Sequence, residues 1–538
     1  MYLWSQNTNN LMSATSVFKP WVPNWAIIAI LFFCMLHSMV LLGVYTSNIT
    51  YSASFLDVEA EDLQFSLCVT YGTFLATILI ESRLFKFFPP KKYFLVIYSL
   101  AALTFVFNVY TENFSLFIIL RMAEGVLMAL PWIPLRQLLI TRFKSKNAVI
   151  IGFTINYSAL LLASPFIMNI AVWLLENYDW SYMAYGSAIF QILCVGLVML
   201  TFNDTRFHKK MPLYQIDWAS YVLILTSILC GTYFLIYGEK KYWFDSSQIT
   251  LALIIAMITG GLFVMRQILV KRPSLDMNVF RFANLRTGFF MFLLFYIARA
   301  TLNMCHSTMH MVWNWEPSRV AHVQYLNLAG NIIGMIFAAI MAAKGVASKI
   351  IFIIGFSIFA IYHFWFTFLF VPDASLYDIA LPYILQGVAV GTLFVPLVLF
   401  TVSSVPDKYA PFAGVIGVSG RFWGSTIGFC IIQNTQVYLQ RIHFTKLSQF
   451  VIPEDPETQN RIEQITKNFI AKGYNSDDAY KLAFKQLTGS VSKQSILLSN
   501  MEIFTIIGYG LAALVVFLLV NRHLKQTFDI FKNRVWGS

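Results

Sequence analysis

A block of this chain repeats itself 262 residues later. Gly72 and Ala76 recur as Gly334 and Ala338, Glu124-Gly125-Val126 as Gln386-Gly387-Val388, Pro134-Leu135 as Pro396-Leu397, and Gly152 as Gly414. One constant spacing means two parallel copies of a helical unit in one polypeptide. In a chain this apolar, such symmetry is expected of a secondary transporter with a central site between its halves.

Hydrophobic residues make up 58% of the 538 residues and charged residues 12%, about half the charged share of an ordinary soluble domain. Runs of about twenty apolar residues are what a hydrocarbon core demands. They fall at 25–46, 63–82, 92–110, 114–139, 147–173, 182–202, 217–237, 248–267, 285–308, 319–343, 349–370, 377–402, 410–434 and 500–521, fourteen spans in all. The first is too long for a cleaved signal and reads as an anchor.

The net charge of +12 does not call for nucleic acid. With the N-terminus inside, the short outer loops hold only Lys240, Lys241 and Arg319 of the 38 Lys and Arg, while the inner loops and tails hold most of the rest. That imbalance predicts cytoplasmic termini and explains the basic balance without a polyanionic partner. The first outer loop is acidic, with Asp57, Glu59, Glu61 and Asp62. All six cysteines fall in expected spans, which fits packing better than a disulfide framework.

The repeat pairs spans two to five with ten to thirteen. The chain therefore divides into a cytoplasmic tail at 1–24, a six-helix half at 25–205, a two-helix insert at 206–275, a second six-helix half at 276–521 and a cytoplasmic tail at 522–538. The insert follows the basic run Arg206-Phe207-His208-Lys209-Lys210 and carries no ionisable residue in mid-span, so it reads as structural or lipid-facing. The long polar segment 436–498 lies outside by parity. Asp455-Pro456-Glu457 opens one amphipathic helix there, Gly473 interrupts it and Ser476-Asp477-Asp478 caps a second. Two short helices packed on the membrane helix ends, or a docking element for a periplasmic adaptor, are the two readings of that segment.

Ionisable groups in the hydrocarbon point to function, because each must face protein, water or substrate. Arg121 and Glu124 share one face of the fourth span, three residues apart, and can neutralise each other. His37 lies in the first span, Arg299 in the ninth and Arg421 in the thirteenth. At about 1.5 Å per residue, the first four come out at one level below the outer surface, with Arg421 nearer the middle. A common level predicts the floor of an outward-opening cavity; the alternative is a set of ion pairs that hold the bundle together. Glu124 is the proton-carrying candidate: burial disfavours its charged form, Arg121 favours it, and a change of access would move the proton. Its repeat mate is neutral Gln386, which with Arg299 and Arg421 is expected to line the substrate cavity.

His306 and His310, four apart and flanked by Met304, Cys305 and Met309, have the spacing of a soft-metal pair. Without a third well-placed ligand that signal is weak, and no metal or other cofactor is expected. Phosphate loop, nucleophile elbow and histidine boxes are all missing, which disfavours an enzyme.

Leu120-Arg121 with Glu124-Gly125, Asp217-Trp218 opening the seventh span, Gln386-Gly387-Val388-Ala389-Val390-Gly391, and Ser419-Gly420-Arg421 with Gly424 and Gly428 together resemble the major facilitator superfamily. Within it they are similar to the fourteen-helix drug:proton antiporters of the EmrB/QacA-like group. The resemblance implies an all-α major facilitator fold of two six-helix pseudo-repeats plus a two-helix insert. It also implies proton-coupled export of small amphipathic compounds by alternating access across a bacterial inner membrane, with Arg121 and Glu124 in proton coupling. An exporter or importer of one defined solute such as a siderophore is the rival within transport, and a membrane enzyme or receptor the rival outside it.

Three departures stand out. The group's first-span Leu-Asp is here Leu36-His37, which places a titratable histidine at a coupling position. The inner loop after span two reads Ser82-Arg83-Leu84-Phe85-Lys86-Phe87-Phe88-Pro89-Pro90-Lys91 and lacks the usual glycines and acid. The fifth-span Gly-Pro antiporter motif is reduced to Ser164-Pro165, with Met168-Asn169 where glycines are expected.

Overall fold

The computed structural model describes residues 17–45, 49–206, 210–403, 405–452, 454–521 and 528. Most of both tails, and Phe207-His208-Lys209 of the basic inner loop, lie outside the described residues. Among the described residues fourteen helices are long and apolar enough to cross a membrane. They are α1 (Asn24–Gly43), α2 (Ala60–Phe87), α3 (Pro90–Val109), α4 (Phe114–Ile140), α5 (Ala148–Asn177), α6 (Ser181–Thr201), α7 (Trp218–Tyr237), α8 (Ser247–Leu269), α9 (Ala283–Met311), α10 (Pro317–Ala343), α11 (Ser348–Thr367), α12 (Leu376–Ser403), α13 (Ala410–Ser448) and α14 (Ser476–Val520). Each spans because its backbone groups bond within the helix, which the hydrocarbon requires.

Local chemistry sets many of the ends. Asn113 caps α4 by accepting from the Ser115 and Leu116 amides, and Asp217 caps α7 by accepting from Ser220. The acidic first outer loop is used as a helix start: Glu59 and Asp62 form a reciprocal capping box at α2. The same two side chains reach the insert, Glu59 pairing with Lys240 and Asp62 accepting from the Tyr237 hydroxyl at 2.5 Å. On the inner side, Arg83 donates to the Gln215 carbonyl at 2.6 Å and to the Arg272 carbonyl at 3.4 Å. The departed inner-loop motif thus clamps the insert's two connecting segments. The insert helices α7 and α8 bury the smallest share of their apolar windows, 22% and 17%, as a lipid-facing pair should.

Three sequence expectations need correcting. The first span stops at Gly43, and a short outer helix, Ile49–Leu56, follows it. The ninth is broken at Thr301 into Ala283–Ala300 and Leu302–Met311, and the Thr301 hydroxyl bonds the Ala298 carbonyl at 2.7 Å. The polar segment 436–498 is not a separate loop with two short helices. Helix α13 continues unbroken for 39 residues and α14 for 45, roughly 58 and 68 Å at about 1.5 Å per residue, against a hydrocarbon core of about 30 Å. The second amphipathic helix is the outer end of α14, capped by Asn475 accepting from the Asp478 amide. The first is the helix Pro456–Ala471, started by Asp455 and ended near Gly473, whose φ of 95° is the left-handed turn glycine takes without strain. Ile462, Ile465 and Phe469 pack on Ala483 and Leu487 of the α14 extension, so the outer hairpin carries its own small core.

The repeat is visible as packing. Helices α2 and α4 pair in the first half and α10 and α12 in the second, and the repeated prolines Pro134 and Pro396 both lie inside the inner parts of α4 and α12. The halves touch on the outer side, where Asn169 of α5 donates to the Ala321 carbonyl of α10 at 2.8 Å and Gln433 of α13 donates to Glu61 of α2 at 3.1 Å. They touch again through Tyr157 of α5 and Phe394 of α12, with ring centroids 5.3 Å apart.

Candidate functional site

The i,i+3 spacing of Arg121 and Glu124 delivers the expected ion pair, and both side chains are fully buried. The guanidinium bonds Glu124 and also donates to the Leu41 carbonyl at 2.6 Å and the Leu42 carbonyl at 2.9 Å, at the outer end of α1. The other Glu124 oxygen accepts from Asn108 of α3 at 2.8 Å. The Tyr45 ring lies 5.5 Å from the guanidinium and stacks on Trp180, whose indole donates to Ser52 of the short outer helix at 3.1 Å. The pair is therefore enclosed by α1, α3 and α4 inside the first half, under an aromatic lid. In this conformation both side chains are closed off from the surface, and carbonyls at the end of α1 satisfy Arg121.

His37 occupies a second closed position in the same half. Its Nε2 faces the Leu127 carbonyl at 3.1 Å and its Nδ1 faces the Gln191 side-chain amide of α6 at 2.6 Å. Both contacts are to oxygen acceptors, the Leu127 carbonyl and Gln191 Oε1, so a neutral imidazole with its single N–H donates to one of them at a time. Arg121, Glu124 and His37 share a half but not a hydrogen-bond network.

Gln386 of α12 takes its hydrogen-bond partner from α10. It accepts from Asn327 of α10, and Asn327 in turn accepts from Asn331 at 2.9 Å. The chain continues through Tyr383, whose hydroxyl meets Gln324 at 3.1 Å and His306 Nε2 at 2.5 Å. The ligating nitrogen of His306 is thus already engaged, and among the described residues no group of three His, Cys, Asp or Glu could hold a metal.

Arg421 and Arg299 do come together, at the seam between the halves. Buried Arg421 lies 5.1 Å from the Tyr157 ring and 5.8 Å from the Phe394 ring, with the Tyr71 and Tyr296 hydroxyls also facing its charge. Arg299 lies over the Tyr296 ring at 5.8 Å. Rings from α2, α5, α9 and α12 thus surround two cations, with contributions from both halves. Neither guanidinium has a carboxylate within ion-pair distance among the described residues, so the centre is an aromatic cage with uncompensated positive charge.

Two residues escaped the sequence reading. Glu81 of α2 and Arg136 of α4 lie near the ends of expected spans and pass for loop-edge charges. The helices run on to Phe87 and Ile140, which draws both into the bundle. Glu81 is fully buried and neither of its oxygens has a hydrogen-bond partner. Arg136 is half-buried, lies 4.6 Å from the Phe153 ring and faces both Glu81 and the Tyr157 hydroxyl. The available signal was an acid at the edge of a hydrophobic run with no basic residue three or four positions before it.

No family model matches the chain. It is 22% identical over 415 residues to the Multidrug export protein EmrB of Haemophilus influenzae, covering 75% of this chain and 77% of that one. It is 20% identical over 434 residues to the Probable multidrug resistance protein EmrY of Escherichia coli, covering 79% of this chain and 81% of that one. Among solved structures it resembles a peptide transporter POT in complex with sulfate, with a TM-score of 0.54 at 12% identity, covering 97% of this chain and 100% of that one.

Proposed function

We propose that this divergent fourteen-helix relative of the EmrB and EmrY multidrug export proteins, with the major facilitator fold, is a secondary active transporter. Its work is proton-coupled export of amphipathic compounds by alternating access. The observation that carries the reading is the central cage, to which both halves contribute: Tyr71 and Tyr157 from one, Tyr296, Phe394, Arg299 and Arg421 from the other. A site built from two repeat halves is exposed to one side and then the other when the halves rock about it. Here the halves meet on the outer side through the bonds from Asn169 to Ala321 and from Gln433 to Glu61.

Aromatic faces suit flat hydrophobic cargo. Two arginines without carboxylate partners favour cargo that also carries an acidic group, since a buried charge is costly until it is paired. That feature also favours the second reading, a single defined acidic solute such as a siderophore. Glu124 is the outer proton-carrying group in this account: it is buried beside Arg121, and opening of the lid formed by Tyr45 and Trp180 would admit water to it. The charge imbalance of the loops supports cytoplasmic termini, and the likeness to bacterial export proteins supports siting in a bacterial inner membrane. The outer hairpin formed by α13, α14 and Pro456–Ala471 stands clear of the bilayer, where an adaptor would meet it.

The test is cargo-induced proton release from the purified protein across a panel of lipophilic cations, bile salts and siderophores. Release by acidic amphipaths that is lost in Glu124→Gln supports the reading. Release that survives in Glu124→Gln removes Glu124 from the coupling.

A further inference from the structure

The hydrogen-bond pattern around Glu81 separates it from the other acid inside the bundle. Glu124 is held by Arg121 and Asn108 on both of its oxygens. Glu81 is just as buried, yet both of its oxygens are without a hydrogen-bond partner. The charges that face it are Arg136 from α4 and Lys86 from its own helix, and neither forms an ion pair with it; the Tyr93 hydroxyl of α3 also faces it but donates to the Leu130 carbonyl at 2.9 Å. A carboxylate stripped of water and of donors is strongly disfavoured, whereas a protonated carboxyl in the same place loses much less.

Arg136 is committed elsewhere. Its guanidinium faces the Tyr157 hydroxyl, and the same hydroxyl faces Arg421 in the central cage. One tyrosine is therefore shared between the cation that Glu81 would need if it ionised and the cation at the cargo site.

We infer that Glu81 is a second proton-carrying residue, loaded in this closed conformation and discharged to the inner side, with Arg136 as the partner it gains when it ionises. The step breaks the Glu81 O–H bond and passes the proton to water on the inner side. The carboxylate left behind gains Arg136 as its partner. Glu81 and Glu124 would then serve the two faces of the membrane from neighbouring helices α2 and α4.

The inference rests on the proton-coupled reading above, and its test separates the two. In proteoliposomes, gradient-driven cargo transport and cargo-cargo exchange without a gradient are compared in wild type, Glu81→Gln, Glu81→Asp and Arg136→Lys. The expected result is exchange within about twofold of wild type in Glu81→Gln, with gradient-driven transport reduced at least tenfold and partly restored in Glu81→Asp. Gradient-driven transport intact in Glu81→Gln overturns the role of Glu81. No gradient-driven transport in wild type overturns the proton-coupled reading itself. A readout that needs no cargo is the infrared carbonyl band of a protonated carboxyl: one band present in wild type at neutral pH should vanish in Glu81→Gln and shift in Glu81→Asp. A spectrum unchanged by both substitutions would show an ionised Glu81 and overturn the inference.

Discussion

The two helix pairs created by the repeat do different jobs with matching positions. Arg121 and Glu124 on α4 correspond to Tyr383 and Gln386 on α12, so an ion pair in the first half becomes a neutral hydrogen-bond chain in the second. The packing differs in the same sense. In the second half four glycines bring α10 and α12 into backbone contact: a Cβ on Gly330 would lie 2.1 Å from the Ile384 carbonyl oxygen, on Gly334 2.3 Å from that of Val388, on Gly387 2.2 Å from that of Asn327 and on Gly391 2.3 Å from that of Asn331. In the first half only Gly125 makes such a contact with α2, at Thr70, and Ala129 stands where Gly391 does. Small residues at a membrane helix seam allow close, rigid packing. The second half is therefore the fixed frame, and the first carries the groups whose charge can change.

The largest effect should come from breaking the charge difference. Glu124→Ala leaves a buried guanidinium with carbonyl partners but no countercharge, a loss of about 3 to 5 kcal/mol for a broken buried pair. Gln386→Ala leaves only the Asn327 amide short of an acceptor, at about 1 to 3 kcal/mol. Thermal unfolding of the purified variants ranks them, and equal losses would mean that the two halves are built alike.

A smaller effect separates the packing. Gly334→Ala forces a Cβ onto the backbone of Val388 and Thr392, whereas in its repeat mate Gly72→Ala the new Cβ meets the Ile228 side chain at 2.6 Å, which can turn aside. Overpacking costs about 1 to 3 kcal/mol where nothing can move, so Gly334→Ala should lower the unfolding temperature clearly and Gly72→Ala little. The reverse order in the same melts would place the rigid seam in the wrong half.

The smallest effect comes from the ion pair outside both halves, Asp217 at the inner end of the insert with Arg266 at 2.9 Å. Burial pushes the Asp217 carboxyl up, but hydrogen bonds from Arg266 and Ser220 outweigh it and hold the group below its ordinary value. A lowered carboxyl contributes stability above the unfolded value of about 3.9 and loses it as pH falls through the folded value. Wild type should therefore lose a small increment of stability on acidification below about pH 4 that Asp217→Asn lacks. Parallel acid profiles for the two proteins would show that the pair contributes nothing.

The sequence made some of this legible because the physics was local or periodic. Fourteen spans follow from hydropathy, and the Arg121 and Glu124 pair follows from one helical turn. Partners set by tertiary packing were out of reach: His37 finds Gln191 154 residues away, and Gln386 finds Asn327 59 residues away. The outward extensions of α13 and α14 were missed because a helix that leaves the bilayer becomes polar without ceasing to be a helix. Glu81 and Arg136 go unnoticed for the opposite reason, since a charge at the edge of an apolar run looks like the start of a loop until the helix is seen to continue.

The central claim is that cargo export is driven by protons moving inward. Reconstituted wild-type protein, given an acidic amphipath and an imposed pH gradient, tests it most directly by cargo flux against proton flux. Cargo should accumulate against its own gradient on the acidic side, with protons moving the other way, and accumulation should collapse when an ionophore dissipates the pH difference. Accumulation that persists after the gradient is gone, or cargo that only equilibrates with the gradient in place, would contradict it.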